Sequence, residues 1–158
     1  MRRISDASKV LLMAAVACAL LAGCSGKRDD KWTRGRPPVY EVTGQVTYQG
    51  KPVADAVLTF QPVDETGKGG SAITDDQGYF EAQTFDPGDG LTPGTHRVAV
   101  HKVQLVDASG NVVTEIREPG GLREKNLVPK KYADFKKSGI EIKVEEDDND
   151  VGVIELVD

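Results

Sequence analysis

Cysteine, histidine and tryptophan are scarce in this 158-residue chain, which has two, two and one of them respectively. Cys18 falls in an N-terminal apolar run that reads as removable, so only Cys24 remains and no internal disulfide can form. The two histidines, His96 and His101, are an odd number of positions apart in an alternating segment. They point to opposite faces of one strand, where they can neither share a metal ion nor act as a paired acid and base. There is no GxSxG elbow and no phosphate-cradling glycine loop. The parts that hydrolysis or group transfer normally use are therefore missing, and the expectation is a protein without catalytic residues, cofactor or metal. Aromatics make up 6% of the chain, enough for one domain with a modest core. The longest apolar run, Val10 to Leu21, is about a dozen residues. A bilayer crossing needs about 20.

That run follows a basic start (Arg2, Arg3, Lys9) and ends in Leu21, Ala22, Gly23, Cys24. The pattern is that of an export signal spanning residues 1–23, and its end resembles the bacterial lipobox. The resemblance implies lipid on Cys24, a diacylglyceryl thioether with a further acyl chain such as palmitate on the amine, and hence a membrane anchor at the cell envelope. An ordinary signal peptide with an incidental cysteine is the alternative. Ser25 follows the cysteine, and a residue other than Asp there points to the outer membrane rather than the inner. Without residues 1–23 the chain carries 17 basic and 24 acidic side chains, a net charge of −7. So acidic a protein is a poor partner for nucleic acid. Residues 24–39, including SGKRDDKWTRGRPP, are charged and aperiodic and read as a flexible linker with a reach of about 20 Å. Trp32 and its basic neighbours are either solvated or rest on the membrane interface or a partner.

The remainder, residues 40–158, alternates as β-strands do. Tyr40, Val42, Gly44, Val46 and Tyr48 share one face, and Glu41, Thr43, Gln45, Thr47 and Gln49 the other. A turn at Gln49 to Pro52 reverses the chain. Ala54, Ala56, Leu58 and Phe60 then face inward, with Val57 an exception facing out, until Pro62 ends the strand or places it on an edge. Asp75, Asp76, Gln77 and Gly78 signal a hairpin between a short strand at Ser71–Thr74 and the next at Tyr79 and Phe80. This turn is too short to be a calcium loop. Thr95 to Val103 alternates again, with the histidines expected at edge or strand-end positions.

The stretches GQVTYQGKPVADAVLTFQP, TDDQGYF and PGTHRVAVHK resemble the carboxypeptidase regulatory-like domain, a transthyretin-like β-sandwich. Small lipoproteins of planctomycete-type bacteria that carry this domain alone are similar, and VPKKYADFKKSGIEIKV and NDVGVIELVD echo their later part. The resemblance implies an all-β, antiparallel Greek-key sandwich of seven strands or so. It does not account for Val103 to Leu127, so residues 103–128 read as a hairpin or loop insertion with its turn at Asp107 to Asn111. The hydroxyisourate hydrolases share the architecture, but their closing Tyr-Arg-Gly-Ser signature is absent.

A basic strip follows the insertion: Arg123, Lys125, Lys130, Lys131, Tyr132, Lys136 and Lys137. Either it is a solvated loop closing the end of the sandwich, or it contacts an acidic polymer or partner. Tyr132 is expected to pack on the core edge from a single helical turn. Ile140, Ile142 and Val144 form a strand. A turn at Glu146 to Asp150 follows, and the acidic run Glu145, Glu146, Asp147, Asp148 and Asp150 is read as a charged hairpin tip rather than a cation site. The parity shift between Val153 and Ile154 in the last strand indicates a bulge or burial on both faces. Together these features lead to a non-enzymatic, lipid-anchored envelope module with a binding or assembly role. The alternatives are a carbohydrate- or peptide-binding module using residues 123–137, for an envelope polysaccharide or protein partner, and a hydrolase of unknown type, for which carboxylates acting as a glycosidase pair are one route.

Overall fold

The computed structural model describes residues 31, 33–113 and 121–158; Cys24, Trp32 and the whole of the expected export signal lie outside the described residues, as does the end of the expected arm at 114–120. The chain divides after Arg36, and the unit Pro37–Asp158 carries every strand described. These are β1 (Val42–Tyr48), β2 (Lys51–Pro52), β3 (Val57–Pro62), β4 (Gly70–Ile73), β5 (Tyr79–Glu81), β6 (Gly94–His101), β7 (Val103–Val106), β8 (Arg123–Asn126), β9 (Ile140–Val144) and β10 (Asn149–Leu156). One 3-10 turn, η1 (Lys130–Ala133), interrupts them.

Two four-stranded sheets make the sandwich. In the first, β1 is central, with β10 on one side and both β2 and β5 on the other; the second runs β4-β3-β6-β9. The all-β sandwich read from the alternation is what forms. It has more strands than the seven or so expected, because β7 and β8 pair separately as a ribbon and β2 is a two-residue return onto Thr47 and Tyr48. The pairing of β1 with β10 is parallel, whereas every other strand pair described is antiparallel.

The period-two pattern explains the core. Val42 and Val46 of β1, Phe80 of β5 and Ile154 and Leu156 of β10 point inward from the first sheet. Leu58, Phe60, Ala72, Val98, Val100, Ile142 and Val144 meet them from the second. Phe60 and Phe80 touch across the gap with ring centroids 6.0 Å apart and planes tilted by 41°. Each such side chain stabilises the fold by about 1.5–3 kcal/mol through its burial. Leu91, Val128 and Tyr132 complete the core. The bulge falls in β10: Thr43 opposes Asp150 and Gln45 opposes Val153, so Gly44 faces two residues, Val151 and Gly152. Gly152 takes φ +67°, and the extra residue moves the buried parity onto Ile154 and Leu156.

Three local expectations change. Pro62 ends β3 but leaves it interior, since β3 is bonded to both β4 and β6 and is no free edge. His96 sits in β6, between β3 and β9, and is wholly buried, whereas His101 is exposed, so only the latter is at an exposed strand end. His96 Nε2 lies 2.8 Å from the Thr92 carbonyl, to which it donates, and its Nδ1 has no partner among the described residues. The acidic turn after Val144 carries the chain from the second sheet to the first, so it is a crossover, not a hairpin tip. Asn149 organises it, taking the Glu145 amide on Oδ1 at 2.8 Å and donating Nδ2 to the Asp147 carbonyl.

Gly44 is the tightest point of the β1–β10 contact. A Cβ there would lie 2.7 Å from Val151 Cγ2 and 2.9 Å from Phe80 Cζ. Gly44→Ala should cost about 1–3 kcal/mol through overpacking, and Val151→Ala in the same chain should recover part of it. Urea unfolding of the single and double variants checks this; an unchanged midpoint for Gly44→Ala would mean that the sheet yields freely there.

Candidate functional site

The β4–β5 hairpin is where the two sheets meet, because β4 belongs to the second and β5 to the first. Its turn is built as the sequence suggests. Asp75 Oδ1 accepts the amides of Gln77 at 2.8 Å and Tyr79 at 2.9 Å, and the Asp75 amide donates to the Tyr79 carbonyl at 2.8 Å. Gly78 has φ +77°, and a Cβ on it would meet the Val46 carbonyl at 2.6 Å, so only glycine fits. Thr74 anchors the strand end, donating Oγ1 to the Val53 carbonyl at 2.6 Å and accepting the Ala56 amide at 2.8 Å. At the far end Ser71 and Gln83 exchange both backbone hydrogen bonds at 2.9 Å.

This hairpin forms part of an open groove of about 850 Å³ on the outer surface. Val57 and Ile73, cross-strand partners in β3 and β4, line it. Tyr79 and Val153 also line it, flanking Gln45 of β1 from β5 and β10. All four are exposed, Ile73 at 66%, Val153 at 60%, Tyr79 at 57% and Val57 at 44%. Seven large apolar side chains are exposed among the described residues, so four of the seven share one concavity. Two residues back along β1, Thr43 is flanked by Glu81 and Asp150, and among the described residues no Lys, Arg or His lines the groove. The sequence marked Val57 as facing out and Val153 as out of parity, but did not join them into a site.

The basic residues are distributed over three elements, β8, η1 and the turn after it. Arg123 and Lys125 are on β8 of the ribbon, two apart and so on one face, with Glu124 opposite. Lys130 is exposed at the start of η1. Tyr132 is 5% exposed and bonds both backbone groups of Val157, donating to its carbonyl at 3.0 Å and accepting its amide at 2.8 Å. It packs on the core edge as expected, and that burial takes its ring out of the contact surface offered by the sequence. Lys131 lies with Nζ 5.1 Å from the Tyr132 ring centroid. Lys136 lines a second groove with Arg97, Phe135 and Glu141, and Lys137 pairs with Asp134 at 3.8 Å.

Lys131 also adds to a clasp on the last residues. Tyr48 Oη donates to Asp158 Oδ1 at 2.6 Å and Gln49 Nε2 to Oδ2 at 2.7 Å. The Tyr48 bond, then that from Gln49, hold the Asp158 carboxyl below its ordinary range, and Lys131 acts in the same sense. The same bond keeps the Tyr48 proton on and raises its pKa. At the tip of the ribbon, bonds from Asn111, with help from Ser109 and Gly110, lower Asp107. Among the described residues no three acidic, His or Cys side chains are grouped as a metal site. None of their helices is long and apolar enough to cross a membrane.

No protein-family model matches the chain, and no curated protein does. Solved structures that resemble it at low identity include the following. A 9R-lipoxygenase from Cyanothece PCC8801 is 16% identical with a TM-score of 0.35, covering 90% of this chain. A DUF3823 family protein from Parabacteroides merdae is 15% identical with a TM-score of 0.34, covering 77%. The chain spans about a fifth of the first protein and under half of the second. Likenesses of that size decide nothing about its function.

The clasp has a defined pH window. A carboxyl lowered by folding stabilises above its unfolded pKa, about 3.9, and loses that contribution as pH falls through the folded value; a raised tyrosine stabilises below about pH 10 and loses it as pH rises through its folded value. The difference in urea midpoint between the native chain and Asp158→Asn should therefore be largest between about pH 5 and 9 and shrink on both sides. A difference that stays constant from strong acid to strong base would dismiss the clasp as a stabilising contact.

Proposed function

We propose that this chain is a non-enzymatic binding module of a bacterial envelope, tethered through lipid on Cys24 and related to the carboxypeptidase regulatory-like domain, and that it binds through the β4–β5 groove. The observation that carries this reading is the gathering of Val57, Ile73, Tyr79 and Val153 in one concavity while the core is filled without them. Single exposed apolar side chains are ordinary, whereas a cluster in a concavity is typical of a binding surface. Its release of ordered water would supply about 25 cal/mol for each Å² covered.

The groove's chemistry favours binding over reaction. Asp75 and Asp150 each spend a carboxylate oxygen on amides of their own turns, the latter on Gly152 at 2.9 Å. Those bonds fix the two carboxylates in their turns while leaving each a second oxygen and its charge to face a ligand. Ser71 has no imidazole or amine beside it in the groove lining to draw off its proton. The basic strip is a weaker alternative for binding, because its members are spread over the ribbon, η1 and the turn after it and Tyr132 is buried.

Anchoring is tested by the intact mass of protein purified from bacterial membranes and by detergent-phase partition. The native chain should lack residues 1–23, carry acyl mass on Cys24 and partition with detergent, and Cys24→Ser should move to the aqueous phase. An uncleaved, unmodified mass would reject the lipid anchor. Binding is tested by a glycan array and by retention of envelope extract on the immobilised chain. A defined component should be retained, lost with Ile73→Asp, and kept with Lys130→Gln/Lys136→Gln. Loss only with the lysine variant would move the site to the basic strip.

A further inference from the structure

Resting on the groove reading above, we infer that the occupant is an extended cationic peptide segment, with an apolar side chain and a Lys or Arg two residues apart on one face. The register of β1 carries this inference. Across the outward face, Tyr79, Gln45 and Val153 form one row, and Glu81, Thr43 and Asp150 form the next. The rows are two residues apart along β1, about 7 Å at the rise of an extended chain. A peptide lying along β1 repeats its own side chains at that same spacing, so an apolar group can meet the first row while a cation meets the second.

The chemistry of the rows selects the class of ligand. Three carboxylates border the groove, and none of its lining residues among those described is basic, so an anionic ligand would meet repulsion and a cation attraction. The apolar part is chiefly aliphatic, with Val57, Ile73 and Val153 beside a single ring, Tyr79. Aliphatic side chains fit such a surface better than a sugar does, whose hydroxyls would be stripped of water without partners. A second hollow of about 330 Å³, lined by Thr59 and Thr84 among others, adjoins the groove and shares Ser71, Gln83 and Pro87 with it.

The test uses the full chain in mild detergent, with methyl NMR signals of Val57 and Ile73 as reporters. Three probes are titrated: an acetylated octapeptide repeating Val-Ser-Lys-Ser, the same peptide with Glu for Lys, and neutral chitohexaose. The lysine peptide should shift the groove methyls saturably and bind at least about tenfold more tightly than the glutamate peptide. Glu81→Lys should cut that preference, and Ile73→Asp should abolish binding. Both residues are exposed, and an unchanged thermal melt confirms that each variant folds. Equal binding of the two peptides, or binding of chitohexaose alone, overturns the cationic-peptide inference while leaving the groove as a binding site. No groove shift with any probe overturns the inference, and the groove reading also falls if the envelope component of the preceding experiment is still retained by Ile73→Asp.

Discussion

The pairing of β1 with β10 is the constraint on which the other features rest. β1 lies between β10 and the β5 and β2 strands, with Val42 and Val46 wholly buried beneath it. Its partner is more than a hundred residues away in sequence, as in the match of Val42 with Asn149. Closing so long a loop costs entropy before any contact rewards it, so the sheet depends on strong packing at the seam. Gly44 supplies that packing by letting Val151 and Phe80 approach closely, and the bulge beside it brings Ile154 and Leu156 back over the core. The same bulge leaves Val153 on the outer face, next to Gln45, so one irregularity serves both the core and the groove.

Three separate features hold the hairpin that joins the sheets. The Asp75 carboxylate bonds the turn amides, Thr74 ties the strand end to the preceding loop, and the Ser71–Gln83 bridge closes the far side. Between these points β4 follows the second sheet and β5 the first. The outward side chains of two sheets, which usually face away from each other, are thereby brought to line one concavity. Ile73 and Tyr79 reach it because Ala72 and Phe80, their neighbours in sequence, are committed to the core and alternation turns the next residue outward.

Much of the sandwich was legible from period-two alternation, since a strand with one buried face must alternate and turns must carry residues such as Gly78 that permit their dihedrals. The inward set Ala56, Leu58 and Phe60 is readable for that reason, and so is the packing of Tyr132. What alternation does not encode is which strands neighbour each other. The parallel β1–β10 match, the interior place of β3 despite Pro62, and the central strand that buries His96 all depend on pairing between distant segments. The crossover between β9 and β10 reads as a hairpin in the sequence for the same reason, because a short polar turn looks alike whether it stays in one sheet or changes sheet.

The groove was hidden differently. Its signal lay in the residues that broke the pattern: Val57 apolar on the wet face, and Val153 adjacent to Ile154 where one of the two had to face out. Taken singly, each has an innocent local explanation, an outward valine in a strand or a bulge. Only the register places Val57 beside Ile73, and Val153 across Gln45 from Tyr79, and so turns separate exceptions into a surface. The charged residues show the converse. Arg123, Lys125, Lys131 and Lys136 are close in sequence, yet the ribbon, η1 and the following turn take them to different settings, with Lys131 against the Tyr132 ring. Closeness along the chain says little about which element carries a residue, and separation along the chain concealed the apolar groove, because sheet pairing sets adjacency there.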